Sequence, residues 1–349
     1  MKAIAMIPKQ KGAASLRDVE MPTPSEEQVL VKVLQAGVCR TDIEIYEGLY
    51  GETPNGDDYL ILGHECLGRV EEPGKSKFSK DDLVARIVRR SCSDMCLNCK
   101  MGEVDMCSTG NYVETGIKGI HGDMTEYFAD SPEYLVKIPG NLANVGVLME
   151  PMSVAEKAIR QSFEVQNRLY WNPKKALVFG AGPIGLLTAM ALRERHIDTY
   201  VAAWSKPGNL KSQIVSKIGA KYISVQETTI KDRFDMIIEA SGSVESVANA
   251  LQLLKPNGVL CLTSVTGGNK EITLPLEKIN IDFVLNNKAL VGIVNANIID
   301  YRNGIADMGL FEINWPGLTE QLITRRLKPE QYLEALVKKP EDIKVVIEF

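Results

Sequence analysis

The sequence predicts a two-domain α/β protein, a strand-rich domain with long loops followed by a doubly wound parallel sheet. Three observations predict it. At 349 residues the chain has room for about two domains, each able to bury its own core. Residues 1–150 hold short β-like runs punctuated by Gly and Pro. From Lys175 onward short apolar runs alternate with stretches of helical spacing. In order, Gln28–Leu34, Gly68–Val70, Leu83–Val88 and Tyr134–Ile138 read as strands of the first domain. Val154, Ala158, Ile159 and Phe163 recur at helical spacing, so residues 152–170 read as a connecting helix. Ala176–Phe179 is then a strand, Gly180–Gly185 a turn and Leu186–Arg195 a helix. Strands follow at Thr199–Ala203, Lys221–Val225, Phe234–Ile238, Val259–Leu262 and Ala289–Val294, with helices at Leu210–Ile218 and Val244–Leu254. The tail ends in another strand-like run, Ile343–Phe349, which returns to the first domain. That domain is therefore expected to be discontinuous, 1–154 with 296–349, around a second domain at 155–295.

Composition excludes several classes of function. Apolar residues make up 45% of the chain, ordinary for a folded protein. With 40 basic and 45 acidic residues the net charge is −5, and no basic stripe of the kind that grips nucleic acid or an anionic membrane is present. The opening residues have no apolar signal core. The longest apolar stretch, Ala176–Leu192, carries three Gly and one Pro and reads as strand, turn and helix rather than a membrane span. A cytoplasmic protein is expected.

Seven cysteines, an odd number without a signal segment, do not form a disulfide framework. Cys92, Cys96, Cys99 and Cys107 fall in the pattern C-x3-C-x2-C-x7-C, four thiolates suited to one tetrahedral zinc in a loop-rich lobe at about residues 90–110. Free thiols and an iron–sulfur cluster are the alternatives, and the spacing fits neither common ferredoxin pattern. Cys261, inside an apolar run, reads as a core residue.

The turn Gly180-Ala181-Gly182-Pro183-Ile184-Gly185 follows a strand and opens a helix, the context a dinucleotide-binding turn requires. Gly180 allows the tight turn, Gly182 lets a pyrophosphate approach, and Gly185 lets helix and strand pack closely. The plain alternative is a βα turn without a ligand. At the end of the next strand, where an acid usually binds the ribose of NAD, the chain reads Ala203-Trp204-Ser205-Lys206. No carboxylate repels a 2′-phosphate there. Ser205 is expected to bond it, Lys206 to pair with it and Trp204 to lie against adenine, unless Lys206 is a solvated loop charge. NADP is favoured, with NAD as an alternative acceptor.

A second polar cluster joins Gly63-His64-Glu65 to Cys39-Arg-Thr41. Cys39 and His64 offer two zinc ligands, and Glu65 a third, directly or through a water molecule. Glu150-Pro151 offers a further one. Zinc with an open position would stabilise the alkoxide of an alcohol losing its proton, and Thr41 is placed to relay that proton. Taken alone, a His beside an acid reads more readily as a surface pair or a satisfied core residue. His121 reads as structural and His196 as a solvated helix cap.

These motifs occur in an order that resembles the zinc-containing medium-chain dehydrogenases across essentially the whole chain. The resemblance is closer to the archaeal-type glucose 1-dehydrogenase branch, on Arg89-Arg90, Glu114-Thr-Gly116, Tyr134-Leu-Val-Lys-Ile-Pro139 and Ile293-Val-Asn295. It implies a GroES-like β-rich catalytic domain and a Rossmann domain. The implied reaction is oxidation of an aldose at C1 to the lactone, with hydride passing to NADP. By position, Cys39, His64, Glu65 and Glu150 match catalytic-zinc positions, and Thr41, Glu114, Glu150 and Asn295 match sugar-contacting ones. Thr263, Ser264 and Val265, with Ile293, Val294 and Asn295, match the nicotinamide end. Two zinc ions per chain follow, as does a homo-oligomer, by family a tetramer.

The chain departs from the pattern in three places. Three residues separate Cys92 from Cys96 where the family usually has two, so either Cys92 ligates through a bulged loop or Ser93 or Asp94 replaces it; Cys92 is the expected ligand. Val88 and Val154 stand where polar sugar contacts are common, and Trp204-Ser205 replaces an arginine pair. Glu114, which has no basic neighbour nearby in sequence, reads from composition as a solvated loop acid; the resemblance turns it toward the sugar. A polyol or secondary-alcohol dehydrogenase is the runner-up, and a non-catalytic nucleotide-binding protein a remote third.

Overall fold

Val29–Val38 is the strand around which the first unit is built, because β-branched residues alternate along it and both its edges are paired. The computed structural model describes residues 1–267 and 270–349. It separates into two compact units, one of Met1–Ser153, Asn295–Gly309 and Thr319–Phe349, the other of Val154–Val294 and Leu310–Leu318. The split cuts the expected segment 296–349, since Leu310–Leu318 clusters with the second unit.

In the first unit, Val29–Val38 pairs antiparallel with Glu65–Glu72, with Tyr127–Asp130 near its start and with Lys344–Glu348 near its end. The expected strand Gln28–Leu34 is thus four residues longer at its far end, where Gln35–Val38 finds partners the local sequence does not contain. Lys344–Glu348 also pairs parallel with Ile323–Leu327, so the final run does form a strand of this unit's sheet. Ile4, Val31, Val33, Val70, Phe128 and Ile347 fill its core.

Beneath that sheet lies a charged layer. Arg86 donates to Asp130 at 2.5 Å and Asp123 at 2.9 Å, and Arg90 reaches Asp130 at 2.5 Å. Both guanidinium groups lie over rings, Arg86 on Phe128 and Arg90 on Tyr134. Burial, with Arg86 adding to it against the pull of Asp130, lowers the Arg90 pKa to about 10.

The second unit is a six-stranded sheet in which every pairing is parallel, in the order Lys221–Ser224, Asp198–Ala203, Lys175–Phe179, Phe234–Glu239, Leu254–Leu262, Ala289–Gly292. The doubly wound expectation holds. The chain starts in the middle, runs to one edge and then to the other, so it reverses between Lys175–Phe179 and Phe234–Glu239. The crevice at such a reversal, beyond the carboxyl ends of the strands, is where open α/β sheets bind ligands.

Several bounds differ from expectation. The helix expected at Leu186 begins at Pro183, since proline at the first position forfeits only an amide that has no partner there. The connecting helix runs Met149–Val165, and so includes Glu150. Among the described helices of ten residues or more, two were not expected, Leu276–Leu285 and Ile298–Asn314. The first buries none of its residues, so its apolar side chains carry no one-sided pattern.

Candidate catalytic and cofactor sites

Cys39 ends the central strand and caps the helix Arg40–Tyr46. Its backbone amide donates to Asp42 Oδ2 at 2.7 Å, and its thiol lies 3.8 Å from Thr41 Oγ1. Asp42, fully buried, also accepts the Gly63 amide on Oδ1 at 3.1 Å, and His64 Nδ1 lies 3.5 Å from the same oxygen. One carboxylate thereby fixes both segments that carry the cluster, through the amides of Cys39 and Gly63. Burial favours a neutral imidazole, but Asp42 outweighs it and holds the His64 pKa well above its ordinary value.

The bend at Gly63 needs glycine. Its φ is +94°, and an added Cβ would lie 2.7 Å from the Met124 side chain. Gly37 serves the next residue, since a Cβ there would strike the Glu65 carboxylate. Cys39, His64 and Glu65 bring their ligand atoms within 4.8 Å of one another. A thiol, an imidazole and a carboxylate at this separation suit zinc.

Glu65 does not stand free. Lys344 Nζ reaches its two oxygens at 2.7 and 2.5 Å and donates to the Val38 carbonyl at 3.2 Å, all of it buried. Burial lowers the Lys344 pKa, and Glu65 with Cys39 more than restores it, so the ammonium stays charged. Glu150, expected as a fourth ligand, is not in the 4.8 Å group. It feels the cluster nonetheless: burial, and after it Glu65, push its carboxyl up to about 7.

Glu114 corrects the reading of a solvated acid. It is buried, and its Oε1 accepts from Arg89 Nε at 3.0 Å, Arg89 Nη2 at 2.9 Å and Asn295 Nδ2 at 2.6 Å. The partner that local sequence lacked stands 25 residues earlier. Arg89 lies in turn over the Tyr112 ring, 3.8 Å from its centre. Val88 runs beside this pair, its carbonyl accepting from Thr115. Asn295, with φ +56°, is held to Glu114 by this bond.

The lobe brings Cys92, Cys96, Cys99 and Cys107 together within 4.8 Å. The longer spacing is absorbed by a turn in which the Cys96 amide donates to Cys92 Sγ at 3.2 Å. Asp94, by contrast, is exposed and accepts from Asn111. The amides of Cys99 and Ser108 pull the Cys96 thiol down to about 5, while burial pushes Cys99 up to about 12. Four converging sulfurs, with the thiol pKa of Cys96 and Cys107 lowered, fit zinc.

In the second unit, Gly180 has φ +101°, and a Cβ there would lie 2.7 Å from the Ala240 carbonyl. A Cβ on Gly185 would lie 2.1 Å from the Gly180 carbonyl, so helix and strand touch there. At Gly182, the helix cap, a Cβ would meet nothing within 4 Å. Open space before a helix N-terminus fits a pyrophosphate. Ala181, Pro183 and Ile184 complete this turn.

The ribose end is less committed than expected. Tyr222 donates to the Ser205 carbonyl at 2.9 Å, so Ser205 Oγ donates back to Tyr222 at 2.6 Å and its single hydrogen is taken. Lys206 faces Glu227 at 3.6 Å, Trp204 is exposed, and Ala203 ends the strand. Ser264 and Thr263 are tied to Glu239, Val265 is exposed, Ile293 donates to the Leu262 carbonyl, and buried Lys157 holds the Val294 carbonyl at 2.7 Å. His121 is structural, stacked on Tyr59 and accepting from Ile61. His196 is exposed with φ +57°. Asp42, Lys344 and Arg89 are the site residues that sequence reading missed. Only Asp42 had a local signal, three residues beyond its cap.

Two family profiles match the chain. The one described as Glucose dehydrogenase C-terminus covers residues 143–349, and the Alcohol dehydrogenase GroES-like domain covers residues 25–140. A glucose 1-dehydrogenase of Methanocella arvoryzae is 43% identical over 100% of this chain and 99% of its own length. One of Thermoproteus tenax is 39% identical over the same shares. The solved structure of Haloferax mediterranei glucose dehydrogenase in complex with NADP, Zn and gluconolactone matches with a TM-score of 0.92 at 30% identity, covering 100% of this chain and 99% of that one.

The Lys344–Glu65 pair yields a direct expectation. Lys344→Met leaves a buried carboxylate without its counter-charge, which costs about 3–5 kcal/mol. Denaturant unfolding should show that loss, and adding Glu65→Gln to the variant should recover much of it. A single variant as stable as the parent would show that the pair contributes nothing.

Proposed function

This chain belongs to the glucose 1-dehydrogenase family of zinc-containing medium-chain dehydrogenases, and we propose that it oxidises the C1 hydroxyl of glucose or a related aldose to the lactone, passing hydride to NADP. The observation that carries the reading is the buried meeting of Cys39, His64 and Glu65 under the control of Asp42. Those three residues, with Glu150 close by, would hold one zinc, and the four lobe cysteines a second. Zinc at the first position supplies Lewis acidity, making the C1 hydroxyl more acidic.

The chain's own residues do the rest. Thr41, beside Cys39, takes the hydroxyl proton and passes it outward. Glu114 presents Oε2 to the sugar while Arg89 and Asn295 hold Oε1, so its bonds to hydroxyl groups are charge-assisted and directed. Asn295 adds a polar contact, and Val88 gives an apolar wall. Gly180–Gly185 receives the pyrophosphate on backbone amides, Ala203–Lys206 receives the adenosine end, and Thr263–Val265 with Ile293–Asn295 receives the nicotinamide.

A second copy of the chain fits the open edge of the six-stranded sheet. Ala289–Gly292 is paired on one side only, and Leu290 beside it is half exposed, as are Ile281 and, more fully, Leu276 and Leu285 of the neighbouring helix. An apolar sheet edge of this kind invites pairing.

Initial rates with glucose, galactose, xylose and sorbitol, each with NADP and NAD, test the activity. Aldoses should be oxidised and sorbitol not. A preference for sorbitol would favour the polyol reading, to which Val88 lends support. Metal analysis should find about two zinc ions per chain, one for each ligand set. Cys39→Ser should abolish turnover and leave about one, whereas Cys99→Ser should chiefly lower the melting temperature. Near-normal turnover by Cys39→Ser would end the catalytic-zinc assignment.

Ser205→Asp sets a carboxylate against the 2′-phosphate. It should raise KM for NADP about tenfold more than KM for NAD, and an equal effect on both would show that this loop does not read the 2′ position. Leu290→Lys should lower the oligomeric state measured by light scattering. An unchanged mass would move the interface elsewhere.

A further inference from the structure

Glu239 is a carboxylate that none of the roles above uses. It ends the strand Phe234–Glu239 and is fully buried. Its register neighbours are Phe179, the residue before Gly180, and Leu262, the residue before Thr263. It therefore sits on the crest of the sheet at the point where the chain reverses, between two segments assigned to the cofactor.

Its bonds run only to the loops on that crest. Oε1 accepts the Ser241 amide at 2.8 Å, the Ser241 hydroxyl at 2.5 Å and the Gly242 amide at 3.2 Å. Oε2 accepts the Ser264 hydroxyl at 2.6 Å. Ser264 Oγ in turn accepts the Gly242 amide at 2.8 Å, which closes a ring between the two loops. The Glu239 carbonyl adds two more bonds, from the amide and the hydroxyl of Thr263. All the donors to the carboxylate are neutral amides or hydroxyls. A buried charge satisfied in this way is expensive in a role that plain packing would fill.

We propose that Glu239 is a positioning residue for the dinucleotide: its carboxylate straps the loops 240–243 and 263–265 together in the arrangement that receives NADP. The proposal rests on the cofactor reading above. Gly242, with φ +70°, and the partly exposed Ser264 lie in loops that would otherwise be free to move. Ordering such residues during binding costs conformational entropy. Strapped by Glu239, they are ordered when the chain folds, and the cofactor meets a formed surface.

The test is a fluorescence titration of NADPH on the full-length protein, beside a thermal melt and KM for glucose. Glu239→Gln keeps the shape and removes the charge, Glu239→Ala removes the strap, and Ser264→Ala cuts only the link to the second loop. The expected result is an NADPH Kd about tenfold weaker in Glu239→Ala, with smaller losses in the other two and an unchanged KM for glucose at saturating NADP. Kd values within about twofold of the parent, with only the melting temperature lowered, would overturn the proposal and leave Glu239 a structural residue. If Glu239→Ala does not fold, Ser264→Ala and Glu239→Gln decide by the same criterion. A parent chain that binds no NADPH removes the cofactor reading itself, a failure distinct from variants that bind as the parent does.

Discussion

The meeting of Cys39, His64 and Glu65 leans on the carboxylate of Asp42. It is fully buried, and its two oxygens divide the work: one holds the amide of Cys39, the other holds the amide of Gly63 and faces His64. Cys39 and His64 belong to segments 25 residues apart that the antiparallel pairing of Gly37 with Glu65 brings alongside, and Asp42 ties them together just past the end of that ladder. A capping acid at the start of a helix ordinarily contributes about 1 kcal/mol to that helix alone. Here the same acid reaches a second backbone and lies beside an imidazole, so the helix start and the glycine bend become one constraint.

Around it the molecule makes room by removing side chains. Gly37 clears the space that Glu65 occupies, and Gly116 and Gly122 clear the space around the Gly63 carbonyl. Close backbone packing replaces side-chain packing there, and it fixes the bend more stiffly than rotatable groups would. The charged layer of Arg86, Arg90, Asp123 and Asp130 continues the arrangement, since Asp123 also donates its amide to the Gly63 carbonyl. The lobe, the bend and the metal ligands are thus joined through one set of bonds inside a single unit.

Much of this was legible in the sequence, and the division follows range. The doubly wound sheet, the glycine turn and the four-cysteine lobe depend on spacing within a few residues, so local pattern carried them. Cys39 and His64 were legible as chemistry, and their meeting was legible only through resemblance. Lys344 was not legible at all, because its partner Glu65 lies 279 residues earlier. Arg89 escaped for the same reason, and Glu114 was read from composition as solvated when it is buried and paired. The helix Leu276–Leu285 escaped for a different one: Leu276, Ile281, Val284 and Leu285 are exposed while Phe283 packs against the core, so apolar residues lie on both faces and blur the amphipathic pattern.

The position of Lys344 has a consequence for how the protein comes into being. Synthesis runs from the N-terminus, and domains fold as they emerge. Cys39, His64 and Glu65 are all made within the first fifth of the chain, yet the ammonium that balances Glu65 is the sixth residue from the end. Most of the sheet that carries the glycine turn is translated in the interval. A growing chain therefore holds Cys39, His64 and Glu65 for 279 residues of synthesis before it holds the charge that balances Glu65.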